Sequence, residues 1–238
     1  MTFKDDLIEA RDAIVTTNFT VRDGILVPTT ADVGYDDAVK LQATYLYADL
    51  VDSSGLVAIS PQQTVGKILR LYLDLNVRII RKNGGEIRSF DGDRVMGIFV
   101  GVTRFDQAVK TAMQIKWACD NIIQPEIAKR YKSIANNDWT IRPACGIASG
   151  EALIVRGGVR RADNDLVSVG VAPNLAAKLS DIRASTCHVR LGAGTYKKLS
   201  NASRLGKNGN NMWIGPESTT MGGKKYSYYR SNYNWSIS

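Results

Sequence analysis

Most of the information about the fold lies in two stretches, Ala43-Thr44-Tyr45-Leu46-Tyr47-Ala48-Asp49 and Phe90-Asp91-Gly92-Asp93. The first is largely apolar and predicts a buried strand that ends at Asp49. In the second, Asp91-Gly92 is typical of a tight hairpin turn, which would put Asp93 beside a strand end. The two aspartates are 44 residues apart (93 − 49), which leaves room for a helix, a strand and a turn between them. We therefore expect both carboxylates together on one sheet.

Paired carboxylates at strand ends are typical of a site for divalent metal. Hard oxygen ligands with few protein contacts suit Mg²⁺ that also carries a polyphosphate. Each aspartate alone has a simpler interpretation, since Asp49 could cap the next segment and Asp93 could be only a turn residue. The two together favour the metal site.

The composition is that of a globular protein. The chain has 238 residues, of which 44% are hydrophobic and 23% are charged, enough to bury a substantial core. Its three cysteines lack CxxC spacing, which disfavours a zinc site or a disulfide framework. The single histidine, His188, has apolar neighbours and predicts a structural side chain, so a Ser-His-Asp hydrolase is disfavoured.

The charge and the absence of long apolar runs indicate the kind of partner. A formal net charge of +8 favours an anion, and the basic residues are scattered without a long basic helix. This pattern favours a nucleoside triphosphate over nucleic acid. No apolar run approaches the roughly 20 residues of a membrane span, and acidic residues stand where a signal peptide would be basic and then apolar. We expect a cytoplasmic protein without a membrane partner.

The pattern of turns and caps predicts the local elements. Ser60-Pro61-Gln62-Gln63 reads as a capping box that opens a long helix, and Asn83-Gly84-Gly85 reads as its end. A turn is expected after Asp49, and a turn or bulge at Ser149-Gly150. Further expected elements are strands at 86–90 and 94–100, a helix from about 103, and a helix opened by Pro173.

Residues 1–40 are interpreted as an N-terminal adjunct segment, and residues 41–238 as one compact catalytic domain. The fold class expected is α/β, of the α+β sandwich type, with a mixed, mainly antiparallel sheet and flanking helices.

Five features follow one another along the chain. They are the strand-end Asp49, Gly84-Gly85, the hairpin Gly92-Asp93, the segment 145–151 (CGIASGE) and the segment 169–178 (VGVAPNLAAK). Each is weak alone, but the ordered set is specific. From about residue 41 to the C-terminus it resembles the catalytic domain of class III nucleotidyl cyclases. That resemblance implies a phosphorus–oxygen lyase that joins the 3′-hydroxyl of a nucleoside triphosphate to its own α-phosphorus and expels pyrophosphate.

The resemblance also implies a set of site residues. Asp49 and Asp93 match the family's two metal carboxylates, and Leu50 matches the position that lends a backbone carbonyl. They imply two divalent cations, Mg²⁺ or Mn²⁺, as cofactors. Asn174 matches the asparagine that orients the ribose, and Lys178 stands four residues on, where the family usually has an arginine.

The basic side chains of the site depart from the family pattern at Lys178 and are ambiguous at Lys224 and Lys225. Lysine is a flexible point charge, whereas arginine offers a planar fork, so a nearby arginine such as Arg183 could take over the role of Lys178. Lys224 or Lys225 matches the family's C-terminal triphosphate lysine. Both could equally be solvated turn residues.

The positions that read the base differ from both purine patterns. The family's readers lie four residues before the second metal aspartate and seven before the asparagine, which gives Ser89 and Val167 here. Valine cannot receive an adenine amino group. In lacking both purine readers the chain resembles the pyrimidine cyclases of bacterial Pycsar anti-phage systems, which make cyclic UMP or cyclic CMP. Ser89 and Val167 would then line the base site, with UTP favoured over CTP on the leaning of that subfamily.

The same resemblance implies a homodimer with shared active sites, and a separate cyclic-nucleotide effector that reads the product. Two alternatives stay open at this point. One is an adenylate or guanylate cyclase with atypical base contacts. The other is a catalytically degenerate module that binds nucleotide without turning it over.

Overall fold

The computed structural model describes residues 2–160, 162–183 and 186–237. Its strands are β1 Thr20–Gly24, β2 Asp37–Leu50, β3 Glu86–Asp91, β4 Arg94–Phe99, β5 Pro143–Gly158, β6 Asn164–Val169, β7 Val189–Gly192, β8 Ile214–Met221 and β9 Lys224–Ser231. Its helices are α1 Phe3–Val15, α2 Ser53–Ile59, α3 Gln62–Lys82, α4 Arg104–Ala118, α5 Gln124–Arg130, α6 Lys132–Ala135, α7 Val171–Ser180, α8 Ala193–Tyr196 and α9 Asn201–Arg204. A π-helical turn at Cys119–Ile123 joins α4 to α5.

The described strands form one sheet in the order β3-β4-β2-β5-β7-β9-β8, with β1 also paired to β2 and β6 to β5. Only the β1–β2 and β5–β7 pairs are parallel. Helices α3 and α4 cover one face, and α7 packs on the other. The expectation of a mixed, mainly antiparallel sheet with flanking helices is confirmed.

Strand β2 is the centre of the sheet and is buried on both faces. Alternate residues of a strand point to opposite faces. Leu46 and Ala48 accordingly pack among residues of α3 and α4, whereas Leu41 and Tyr45 pack among residues of α7. Strand β5 pairs with it along its length, from Ala38↔Val155 to Leu50↔Pro143. This central pair fixes where Asp49 lies.

Two predictions for the segment after β2 are wrong. Residues 53–59 form α2, where a turn was expected, because the side chain of Asp52 caps the helix by accepting from the amide of Gly55 at 3.2 Å. The capping box at Ser60 does not form: Pro61 is the N-cap of α3, without a side-chain hydrogen bond. Ser60 instead donates its hydroxyl to that of Ser133 at 2.8 Å.

The expected break at Ser149-Gly150 is also absent, since β5 runs unbroken through both residues. The helix expected from Pro173 begins earlier, at Val171. It lies against β5 at Gly146, where a Cβ atom would stand 2.0 Å from the carbonyl oxygen of Ala176 and 2.4 Å from the amide of Ser180. Only glycine allows the helix backbone to lie this close to the strand.

The boundary expected at residue 40 falls inside β2. Before it, Val33, Ala38 and Val39 are fully buried, and β1 pairs with β2 over residues 37–41. Helix α1, in contrast, has no buried residue. The division into an adjunct segment and a catalytic domain stays a prediction.

Among the described helices, none is both long enough and apolar enough to cross a membrane.

The contact at Gly146 predicts a specific loss of stability. Gly146→Ala should lower the free energy of unfolding by about 1–3 kcal/mol, because the added methyl group overlaps the backbone of α7. Urea denaturation followed by circular dichroism measures this change. Gly66→Ala in α3 is the matched control, since a Cβ atom there meets nothing within 4 Å. It should stabilise the protein by about 0.5–1 kcal/mol, and an equal effect of both substitutions would contradict the contact.

Candidate active site

Asp49 stands at the end of β2 with only 6% of its surface exposed. Its backbone is fixed from α3, because the fully buried Tyr72 donates its hydroxyl to the Asp49 carbonyl at 2.8 Å. Burial raises the pKa of Tyr72 well above its usual value, so the hydroxyl remains a donor at neutral pH. The next turn is held by the amide of Val51, which donates to the Arg142 carbonyl at 2.9 Å. The strand end is therefore rigid.

Asp93 lies in the turn of the β3–β4 hairpin, beside Gly92 with φ of +60°. Together with Asp49 and the Leu50 backbone it lines an open cavity of about 410 Å³. The structure thus brings together the three residues assigned to metal from the sequence. Asp91 and Asp52 line the same cavity, which sequence reasoning did not assign.

Two arginines balance the Asp49 carboxylate. Arg183 donates to its Oδ2 atom at 2.6 Å, and Arg94 donates to the same atom at 3.3 Å. Arg94 also donates to Asp181 at 2.5 Å. Desolvation lowers the pKa of Arg94, but Asp49 and Asp181 outweigh it and raise the pKa on balance.

The donor set suits hard divalent cations. Carboxylates and a backbone carbonyl are the ligands that Mg²⁺ and Mn²⁺ prefer, and an open cavity leaves room for phosphate oxygens and water. In the described part of the chain, no group of three or more His, Cys, Asp or Glu side chains is arranged to hold a metal ion. The oxygen donors of Asp49, Leu50 and Asp93 are therefore of the kind that hard divalent cations prefer, but they are too few to surround such an ion.

A second cavity of about 370 Å³ adjoins the first, and Asp52 and Arg183 line both. Arg142 and Arg190 add positive charge to its wall. Arg142 was missed from the sequence, although a basic residue directly before β5 was a usable signal. His188 lies here too, and desolvation lowers its pKa to about 4, which agrees with a structural histidine.

Asn174 and Lys178 lie four residues apart on the exposed side of α7, whose buried side packs through Leu175 and Leu179. Neither lines the two cavities of the described chain. Lys224 and Lys225 are likewise exposed, at the start of β9 beside the β8–β9 turn. The structure therefore leaves these four residues outside the cavity that holds Asp49.

Ser89 and Val167 also lie outside both cavities. The Ser89 hydroxyl donates to the sulfur of Met96 at 3.7 Å, and Val167 is 49% exposed on β6. Their strands are nevertheless linked by Arg88, which donates to the Leu166 carbonyl at 3.0 Å and pairs with Asp165. Sequence reasoning missed Arg88, because its partners are distant in sequence.

The Tyr72 hydrogen bond predicts a coupled loss of stability and activity. Tyr72→Phe leaves the buried Asp49 carbonyl without its donor, which should cost about 1–3 kcal/mol in the free energy of unfolding. The loosened strand end should also lower the catalytic rate that the resemblance implies. Tyr228→Phe, which removes a hydroxyl bond to Glu217 at 2.7 Å in the β8–β9 hairpin, is the control. Equal catalytic rates in wild type and Tyr72→Phe would contradict the positioning of Asp49 by Tyr72.

Two curated relatives resemble the chain in sequence. It is 40% identical over 179 residues to a uridylate cyclase from Rhodovulum sp. (strain MB263), which covers 75% of this chain and 72% of the relative. It is 33% identical over 239 residues to a uridylate cyclase from Xanthomonas perforans, which covers both chains in full. No protein-family model matches the chain.

Solved structures share the fold at low sequence identity. The guanylyl cyclase Cya2 aligns with a TM-score of 0.68 at 15% identity, covering 82% of this chain and 94% of that chain. The adenylyl cyclase CyaB from P. aeruginosa aligns with a TM-score of 0.65 at 18% identity, covering 82% and 95%. The solved structures show that the chain has the class III cyclase fold. Because its relatives match it at 33–40% identity, the chain belongs to the uridylate cyclase family and is a nucleotidyl cyclase.

Proposed function

We propose that the protein converts UTP to 3′,5′-cyclic UMP and pyrophosphate in a metal-dependent reaction. The observation that carries this proposal is the cavity that gathers Asp49, the Leu50 backbone and Asp93, in a chain whose full-length relatives are named uridylate cyclases. The resemblance to pyrimidine cyclases of anti-phage systems supports a role as a signal in bacterial defence. A separate cyclic-nucleotide effector would then read the product.

Asp49, the Leu50 carbonyl and Asp93 would hold two divalent cations, Mg²⁺ or Mn²⁺. When bound, these ions lower the pKa of the 3′-hydroxyl and offset the charge of the β- and γ-phosphates. The protein's part is to fix the ligands, through Tyr72 at the Asp49 carbonyl and through the tight turn beside Asp93.

The adjoining cavity supplies positive charge for the phosphates. Arg142 and Arg183 line it beside the strand end that carries Asp49. As the 3′-oxygen bonds to the α-phosphorus, the bond from the α-phosphorus to the bridging oxygen breaks. The hydroxyl proton passes to solvent, and pyrophosphate leaves with that oxygen. Arg142, whose carbonyl accepts from the amide of Val51, would stabilise the charge that develops on the leaving group. Lys178, and Lys224 or Lys225, would add positive charge from a second subunit.

A homodimer with shared sites accounts for the residues outside the cavity. Asn174 and Lys178 face outward from α7, so they can orient a ribose and neutralise phosphate only in a site completed by another chain. Asp49 and Asn174 both occur in this chain, so a two-fold dimer would contain two equivalent sites.

The base would lie between β3 and β6, near Ser89 and Val167. The serine hydroxyl offers one donor and two acceptor lone pairs to a uracil edge. The Arg88 link between the two strands limits their separation, which favours the smaller pyrimidine ring.

Turnover of the four ribonucleoside triphosphates tests this function. With Mn²⁺, the protein should convert UTP fastest and CTP next, and mass spectrometry should identify the cyclic products. EDTA should abolish turnover. Asp93→Asn should lower the rate by about 10²-fold or more, whereas the matched control Asp91→Asn, in the same turn, should retain most of it.

If ATP or GTP is turned over fastest, the substrate is a purine nucleotide and the proposal of UTP is wrong. Metal-dependent binding of nucleotide without pyrophosphate release would instead mark the degenerate binding module.

Subunit mixing tests the shared sites. Asp49→Ala and Asn174→Ala should each be inactive, but a statistical mixture should recover about a quarter of wild-type activity. Half of the dimers are then mixed, and each of these has one intact site. Mixing Asp49→Ala with Asp93→Ala is the control, because both lesions fall in the same half-site and no intact site forms. Equal activity of the two mixtures, after verified subunit exchange, would exclude shared sites.

A further inference from the structure

The pair of Arg183 and Asp49 occupies the place where metal would bind. Arg183 Nη2 donates to Asp49 Oδ2 at 2.6 Å, which is closer than Arg94 at 3.3 Å. Asp49 is 6% exposed, whereas the Arg183 side chain is 38% exposed at the cavity wall.

Arg183 is the more easily displaced of the two arginines. Arg94 contacts the same Oδ2 atom at 3.3 Å, but it is also held by Asp181 at 2.5 Å and its side chain is only 23% exposed. Within the described residues, Arg183 also donates to the carbonyl of Ser180, in the last turn of α7. An exposed arginine with a neutral second partner can swing into solvent at lower free energy than a half-buried one held by two carboxylates.

We propose that Arg183 is a displaceable counter-ion of Asp49, which raises the metal concentration that the site requires and ties metal binding to the end of α7. This inference rests on the metal site of the proposed function. Without metal, Arg183 and the more distant Arg94 together neutralise the buried charge of Asp49. A divalent cation held by Asp49 would repel the Arg183 guanidinium group, and Arg183 would then release the carbonyl of Ser180.

The release would reach the second active site. Helix α7 carries Asn174 and Lys178 on its exposed side, and in a dimer with shared sites these side chains serve the partner's Asp49. Metal binding in one site therefore loosens the end of the helix that serves the other.

Metal binding without nucleotide tests the proposal directly. Isothermal titration should show Mn²⁺ binding roughly 3- to 10-fold tighter in Arg183→Gln than in wild type, because Arg183 no longer competes with the metal for the carboxylate. Arg183→Lys keeps the charge and should remain near wild type. Arg130→Gln removes an equally charged arginine that pairs with Glu126 in α5, and it should leave Mn²⁺ affinity unchanged.

Amide hydrogen exchange gives the second measurement. Mn²⁺ should speed exchange at residues 179–183 of wild type, whereas Arg183→Gln should exchange fast there with or without metal. Two results would contradict the proposal that Arg183 is a displaceable counter-ion. One is an unchanged Mn²⁺ affinity in Arg183→Gln, and the other is an exchange rate at residues 179–183 of wild type that does not change with Mn²⁺.

Asp49→Asn separates this failure from that of the proposed function. If Asp49→Asn loses Mn²⁺ binding while Arg183→Gln binds like wild type, only the counter-ion is wrong. If Asp49→Asn binds Mn²⁺ like wild type, the metal site itself is wrong.

Discussion

The burial of one carboxylate constrains the rest of the site. Asp49 ends a strand that is covered on both faces, and a buried charge is tolerated only when it is paired. The described chain meets that requirement with Arg94, at the start of β4, and Arg183, in the segment that follows α7. Both segments must therefore converge on the end of β2 before any ligand is present. The positive charge around Asp49 is in this sense a requirement of folding, because the fold has to balance the buried carboxylate.

Local sequence signals predicted the parts of the site that depend on local geometry. Asp91-Gly92 forces a tight turn, so the place of Asp93 followed from the turn alone. The apolar run before Asp49 likewise identified a buried strand. The capping box at Ser60 failed because Ser133, far along the chain, binds the serine hydroxyl. Asp52 was missed as a cap for a local reason. Its role depends on a positive φ of 59°, which the sequence does not indicate for aspartate.

The electrostatics of the site were much less predictable. The contact of Arg183 with Asp49 spans 134 residues, and that of Arg88 with Asp165 spans 77. No periodicity in the chain reports on such pairs, since each requires the curvature of the whole sheet. Resemblance pointed to the positions of Ser89 and Val167 for the base, but the link between their strands is made by the neighbouring Arg88. Counting residues from a motif identifies Ser89 and Val167, but it does not reveal the contacts of Arg88 that link β3 to β6.

Helix α7 is held against its own sheet on one side and leads at its C-terminal end to the Asp49 carboxylate. Its buried side must lie directly on β5, which the missing side chain of Gly146 allows, and this contact fixes the helix axis. Its opposite side then has to face away from its own sheet, which is why Asn174 and Lys178 are exposed. Its C-terminal end, however, returns to the same chain's Asp49 through Arg183 and, through Asp181, to Arg94. The same helix therefore exposes Asn174 and Lys178 on one side and is followed directly by the two residues that balance the charges of Asp49 and Arg94.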